Sequence, residues 1–347
     1  MSFNKKKNIV YIVASEKKIS GGEKVIYRHS EIINNLFKDI SSEIIPLRRS
    51  KLSKYKNSFF KILNKKNKFT GWSVRDIEIK TNHKPKFNVH NPKFRFKFEF
   101  NKNLDFIILP EIFAHLAKEL LIKHKIPYAI FVQNGFALNS TNNYPLLNEA
   151  YKNAKLILSV SNNTTKMIKH VFGGLTKNIV KINLSVGSEN FKNRLNKENL
   201  ITYMPRKLPN HSQKLFFMVK NRLPKKWKIK ALDNIVNEKE LYNVLRKSKI
   251  FLSFSHMEGL GLPPLEAAKE GNKVIGYTGE GGKDYWKEPI FTEIPYGNLD
   301  LYVNEILNYI KKRSNYTKFK KQRIELYKKY SSEIEIKSLK KLINKLF

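Results

Sequence analysis

Short apolar runs alternate with stretches of helical periodicity along this chain, and that alternation limits its fold more than any other feature. Ile9–Ala14, Glu43–Leu47, Phe106–Leu109, Tyr128–Val132, Leu156–Val160 and Ile179–Leu184 read as buried strands. Between them, Glu23–Leu36, Ile112–His124 and Asn163–Val171 carry the spacing of helices. Strands and helices in this order predict a parallel sheet covered on both faces. The pattern then starts again. Leu200–Met204, Trp227–Ala231, Ile250–Phe254 and Lys273–Tyr277 are the second set of strands, and His211–Arg222, Glu238–Lys247 and Pro264–Glu270 the helices. The fold class is therefore α/β, with two doubly wound domains. Their expected limits are 1–188 and 189–325, followed by a basic helix, 326–347, that packs back on the first domain. The polar stretch Gly187–Glu198 is the candidate hinge. A cleft between the carboxyl ends of the two sets of strands is where such folds bind ligands.

Length agrees, because 347 residues exceed one ordinary core and suit two of roughly 150–180 residues. The absence of cysteine excludes disulfides and cysteine–zinc sites and fits a reducing compartment. No segment reaches the ~20 apolar residues of a membrane-spanning helix. The run Ile9–Ala14 is too short for a signal-peptide core, so the expected location is the cytoplasm. The net charge of +38 predicts attraction to polyanions, although the codon usage of an AT-rich genome is a competing cause for part of the lysine excess. Two basic segments stand out: the amphipathic Lys51–Lys68, and Lys93–Phe100, whose alternation of Lys, Arg and Phe predicts a strand with a basic face. Both suggest contact with an anionic membrane surface.

The residues that carry chemistry lie at Glu258-Gly-Leu-Gly-Leu-Pro-Pro-Leu-Glu266. The preceding strand places Glu258 at a carboxyl end. Gly259 and Gly261 let backbone approach a ligand closely, and the prolines suit a helix start. Amides of Gly259, Leu260 and Gly261 next to that helix start suit a diphosphate. Glu258 and Glu266 are acceptors for the hydroxyls of a sugar or ribose.

This string resembles the signature of the GT-B glycosyltransferases, family 4 in particular, whose domains are Rossmann-like. The resemblance implies that Glu258, the candidate catalytic residue, faces the donor sugar and Glu266 the ribose diol, with the loop amides on the diphosphate. Gly21-Gly22, after the first strand, resembles the family's loop near the donor phosphate. Arg206-Lys207 falls where the family keeps two cations for the diphosphate, although here they are adjacent. Gly279–Tyr285 resembles its second glycine-rich turn, and Asn234-Ile235 falls at its base-binding position. Many members have a histidine where this chain has Gln133-Asn134, the acceptor-side candidates. A neutral amide binds a hydroxyl but is no base, and retaining members need none, because the leaving phosphate takes the acceptor proton.

The resemblance implies transfer from a nucleotide-diphosphate sugar to a cell-surface glycan or a lipid-linked acceptor, as in polysaccharide or lipopolysaccharide synthesis. It implies retention of configuration and no metal or other cofactor. Two alternatives stay open. A basic nucleic-acid-binding protein suits the charge but not the paired glutamates, which repel phosphates. A nucleotide-sugar epimerase would use the same fold.

Overall fold

The computed structural model describes residues 6–15, 21–50, 74–81, 83, 92–189, 191–192, 196–233, 237–312 and 317–347. Its contacts divide the chain into two compact units. Unit 1 comprises Met1–Val160, Thr164–Ile182 and Ser338–Phe347; unit 2 comprises Ser161–Asn163 and Asn183–Lys337.

Unit 1 contains β1 (Lys7–Ala14), α1 (Gly21–Leu36), β2 (Ile40–Arg49), β3 (Ile77–Ile79), β4 (Asp105–Pro110), β5 (Tyr128–Val132), α2 (Tyr144–Asn153), β6 (Leu156–Ser159), α3 (Asn162–Phe172, from Thr164 onward) and β7 (Ile179–Lys181). Its sheet has the order β3-β2-β1-β4-β5-β6-β7. Every pairing is parallel except the edge pair β2–β3. Helices cover parallel strands on both faces, so β4 and β5 are buried along their whole length. That burial is why they read as unbroken apolar runs. Each buried Ile or Leu of this core, such as Ile12, Leu109 and Ile130, contributes roughly 1.5–3 kcal/mol.

Unit 2 contains β8 (Glu198–Tyr203), α4 (Pro209–Val219), β9 (Lys228–Ala231), α5 (Glu238–Lys247), β10 (Ser248–Glu258), α6 (Leu262–Lys269), β11 (Lys273–Glu280), β12 (Phe291–Glu293), α7 (Leu299–Lys311) and α8 (Thr317–Lys329). The order is β12-β11-β10-β8-β9, all parallel. The last helix, α9 (Ser332–Leu346), buries the stripe Leu339, Leu342, Ile343 and Leu346, and its residues from Ser338 onward group with unit 1. There Lys155 Nζ donates to the Leu346 carbonyl at 2.8 Å. The other face of α9 exposes Lys337, Lys340, Lys341 and Lys345.

Two expectations fail. The segment 93–100 is not a strand: it touches the sheet through one bridge, Phe94 to Ile44. Its arginine does not belong to a basic outer face either. The Arg95 guanidinium clasps Asp105 at 2.9 and 3.0 Å and reaches Glu43 at 2.8 Å. Asn8 binds the same two carboxylates. Although burial alone would push the Asp105 carboxyl up, hydrogen bonds from Arg95, Asn101 and Asn8 hold it below its usual range. The period-two pattern therefore comes from a half-buried loop whose central cation is consumed by an ion-pair network. The second failure is Ile112–His124, where a 3-10 turn (Glu111–Leu116) and a π turn (Lys118–Ile122) replace one helix. Pro110 precedes them and supplies no capping side chain. The segment Lys51–Lys68 and the pair Asn234-Ile235 lie outside the described residues.

Candidate functional site

In unit 2 the strand β10 runs to Glu258 itself, further than the apolar run Ile250–Phe254 suggested. The extension contains a bulge. Ser255 pairs with Thr278 and Glu258 with Glu280, so β10 spends three residues where β11 spends two. Met257, with φ +50°, sits inside the irregularity. Side chains alternate along a strand, so one extra residue turns Glu258 away from the face on which Phe254 enters the core. The carboxylate meets the Lys207 ammonium at 2.8 Å, with 25% of the glutamate and 38% of the lysine side chain exposed. Lys207 comes from the loop after β8, the strand next to β10, and is followed by Leu208 in the left-handed region, φ 45°. Arg206 is exposed one residue earlier.

The loop 259–261 leads into α6. Gly261 takes φ +77°, a conformation that favours glycine. Pro263 and Pro264 remove two of the first three helical amides, so the donors available to an anion there come from the loop and Leu262 rather than from a full helical turn. Glu266 projects from α6 with 9% of its surface exposed. Gly187, φ +75°, packs against it: a Cβ there would lie 3.6 Å from the Glu266 Cα.

A second glycine turn supports the first. An added Cβ on Gly281 would stand 2.3 Å from the Gly259 carbonyl oxygen, and one on Gly279 would stand 2.8 Å from the Ser255 Cβ. Between them Glu280 holds φ 68°, ψ −54°, a position that costs a non-glycine residue on the order of 1–3 kcal/mol. Its carboxylate pairs with Lys283 at 3.0 Å. Tyr285 then donates its hydroxyl to the Gly261 carbonyl at 2.5 Å. Burial pushes this phenol's pKa well up, and the nearby Tyr330, Glu258, Glu266 and Asp284 push it further. Both glutamates thus lie within electrostatic reach of one buried side chain. Tyr285→Phe keeps the packing and removes the bond to Gly261. The melting transition of unit 2 is expected to fall by about 2–4 °C, for a loss near 1 kcal/mol.

In unit 1, Gly21 and Gly22 open α1. Gln133, just past β5, donates from Nε2 to the Gly22 carbonyl at 3.0 Å, and a Cβ on Gly22 would strike its Oε1 at 2.2 Å. Asn134 caps the following turn, its Oδ1 accepting from the Phe136 amide at 3.0 Å. The fold therefore brings Gly22 and Gln133 together, residues 111 positions apart. It also brings in Glu111, which no motif marks. This buried carboxylate accepts from the amides of Gln133 and Asn134 at 3.1 and 3.0 Å. Burial outweighs those amides and pushes its pKa up to about 7. A carboxyl raised on folding adds stability below its unfolded pKa and loses it as pH rises through the folded value. Unit 1 is therefore expected to lose on the order of 2–3 kcal/mol of stability between pH 4.5 and about 7. Urea titrations at pH 5 and pH 8, with Glu111→Gln as the flat control, check this.

No protein-family model and no curated protein sequence matches the chain. Solved structures do match. A mutant of S. aureus TarM in complex with fondaparinux, alpha-GlcNAc-glycerol and UDP aligns with a TM-score of 0.68 at 12% identity, covering 98% of this chain and 99% of that one. The pneumococcal O-GlcNAc transferase GtfA in complex with UDP and GlcNAc gives 0.65 at 13% identity, covering 98% and 99%. Anabaena HepE in complex with UDP and glucose gives 0.65 at 10% identity, covering 96% and 98%. Two parallel-sheet units in one chain, matched by these structures over nearly its whole length, identify its architecture as the GT-B glycosyltransferase fold.

Proposed function

We propose that this chain transfers a sugar from a nucleotide-diphosphate sugar to a hydroxyl acceptor. The observation that carries the reading is the Lys207–Glu258 pair, 2.8 Å apart at the carboxyl ends of adjacent strands and open to solvent. A part-exposed ion pair is worth ~0–1 kcal/mol, so a ligand can exchange it at small cost. Sugar hydroxyls would then take the carboxylate and the diphosphate the ammonium. Arg206 would add a second cation, and Gly259, Leu260 and Gly261 would add amides. Glu266 would hold the ribose diol. This set needs no metal, because cations and amides take the charge that develops on the leaving group.

In the proposed reaction the bond between the anomeric carbon and the diphosphate oxygen breaks, and its electron pair leaves with the diphosphate. The acceptor oxygen bonds to the same face of that carbon, and its proton passes to the departing phosphate. Configuration is retained. Gln133 and Asn134 would orient the acceptor hydroxyl, a task that an amide performs without acting as a base. TarM, GtfA and HepE were each solved with UDP, which makes a uridine diphosphate sugar the first donor to test. The acceptor class we favour is a glycan or lipid-linked sugar at an anionic membrane surface, reached from the cytoplasm.

Thermal shift with UDP-, GDP- and dTDP-sugars tests the reading. A cognate donor at a hundred times its Kd should stabilise by ~2.7 kcal/mol. No shift with any nucleotide, together with tight, salt-sensitive binding to RNA, would replace it by nucleic-acid binding.

A further inference from the structure

We infer that Glu111 is a positioning residue, one that fixes the acceptor-side loop of unit 1 by gripping the backbone of Gln133 and Asn134. The inference rests on the transferase reading for its kinetic consequence, but its geometry stands alone. Glu111 follows β4, and β4 lies between β1 and β5 in the sheet. Its side chain reaches the Gln133-Asn134 segment after β5, and Gln133 in turn holds Gly22 at the start of α1. Each carboxylate oxygen takes one of two consecutive amides, at 3.1 and 3.0 Å.

Among the described residues no cation pairs with Glu111. A buried carboxylate without a counter-ion is a costly choice where an apolar side chain would fill the space. Its own amide and those of Gln133 and Asn134 offset that cost, and the two from the loop do so only if they stay in place. The remaining contacts leave the loop little freedom. Gly135 sits so close to α3 that a Cβ would meet the Met167 Cβ at 2.9 Å, and Gln133 crosses Gly22 on the other side. The path from buried charge to site surface is short: Glu111 holds the Gln133 amide, and the Gln133 side chain holds Gly22. Glutamine at 111 would present an NH2 group to one backbone N–H, two donors facing each other, so the loop would have to shift.

The test uses the full chain as wild type, Glu111→Gln and Glu111→Asp. Amide exchange over the peptide containing Gln133 and Asn134 is read by mass spectrometry, alongside UDP affinity and acceptor KM. In Glu111→Gln, exchange is expected to rise about tenfold or more. Acceptor KM should rise by a similar factor, while UDP affinity stays within about threefold. Glu111→Asp keeps the charge on a shorter stem and should fall between the two; it also serves as the test variant if the glutamine form does not fold. Exchange at wild-type rates in whichever variant folds would overturn the inference, even if transfer activity is confirmed. Wild type that neither binds UDP nor transfers sugar would remove the transferase reading, while faster exchange in the variants would still support the grip of Glu111 on the loop.

Discussion

Glu258→Ala is expected to lower kcat for sugar transfer by about 10²–10³-fold and to leave donor affinity within about fivefold. Glu266→Ala is expected to do the reverse, raising the donor Kd about 10–100-fold with a smaller change in kcat. The difference follows from where the two carboxylates sit. Glu258 stands at the very end of β10, turned out by the bulge and held against Lys207. In the proposed reaction a group there would meet the part of the ligand on which charge is redistributed, so its hydrogen bonds would strengthen toward the transition state. Glu266 sits one helical turn into α6, nearly buried beside Gly187. A ribose held there undergoes no chemistry, and binding it stabilises ground and transition states alike. Folding should survive the first change, because the Lys207–Glu258 pair is part-exposed and worth little. Initial-rate kinetics with calorimetric titration of UDP separates the two effects. Equal changes in both variants, or none, would refute the assigned roles.

Most strands were legible because burial on both faces writes them as unbroken apolar runs. Tyr128–Val132 and Glu238–Lys247 have the expected limits to the residue. What the reading missed depends on partners far away in sequence. Arg95 looks like part of a basic stripe until the fold brings Glu43 and Asp105 to it. The last residues of β10, Ser255–Glu258, hold a single apolar side chain, the exposed Met257, and only the neighbouring β11 keeps them paired beyond the bulge. The glutamates and glycines of the 258–266 string were visible because nine adjacent residues carry them. The pairing of Gly22 with Gln133 was not, since it depends on β1 and β5 flanking β4. Glu111 had no signal at all: a lone glutamate after Leu-Pro reads as an exposed turn, and only the convergence of two amides shows otherwise.

The glycine turn after β11 yields the other large effect. Gly281→Ala is expected to lower the unit 2 melting transition by about 3–10 °C and kcat/KM by about 100-fold. The added methyl has no side chain to displace. It would stand 2.3 Å from the Gly259 carbonyl oxygen, 2.4 Å from the Gly259 carbonyl carbon and 2.5 Å from the Glu258 carbonyl oxygen. Every one of these atoms is backbone, so relief requires the 258–261 loop to move as a body. That loop cannot yield freely, because the Tyr285 hydroxyl holds Gly261 and the bulge holds Glu258. A displacement near 1 Å would carry the Glu258 carboxylate and the loop amides out of register with Lys207, and misplacement on that scale costs about 100-fold in rate. Gly174→Ala is the control, since an added Cβ there meets nothing within 4 Å; its effect should stay within about 0.5 kcal/mol. Gly281→Ala with the melting point and kinetics of Gly174→Ala would show that the two glycine turns do not press on each other in solution. A loss of activity without loss of stability would instead mean that the loop yields as a body and carries Glu258 with it.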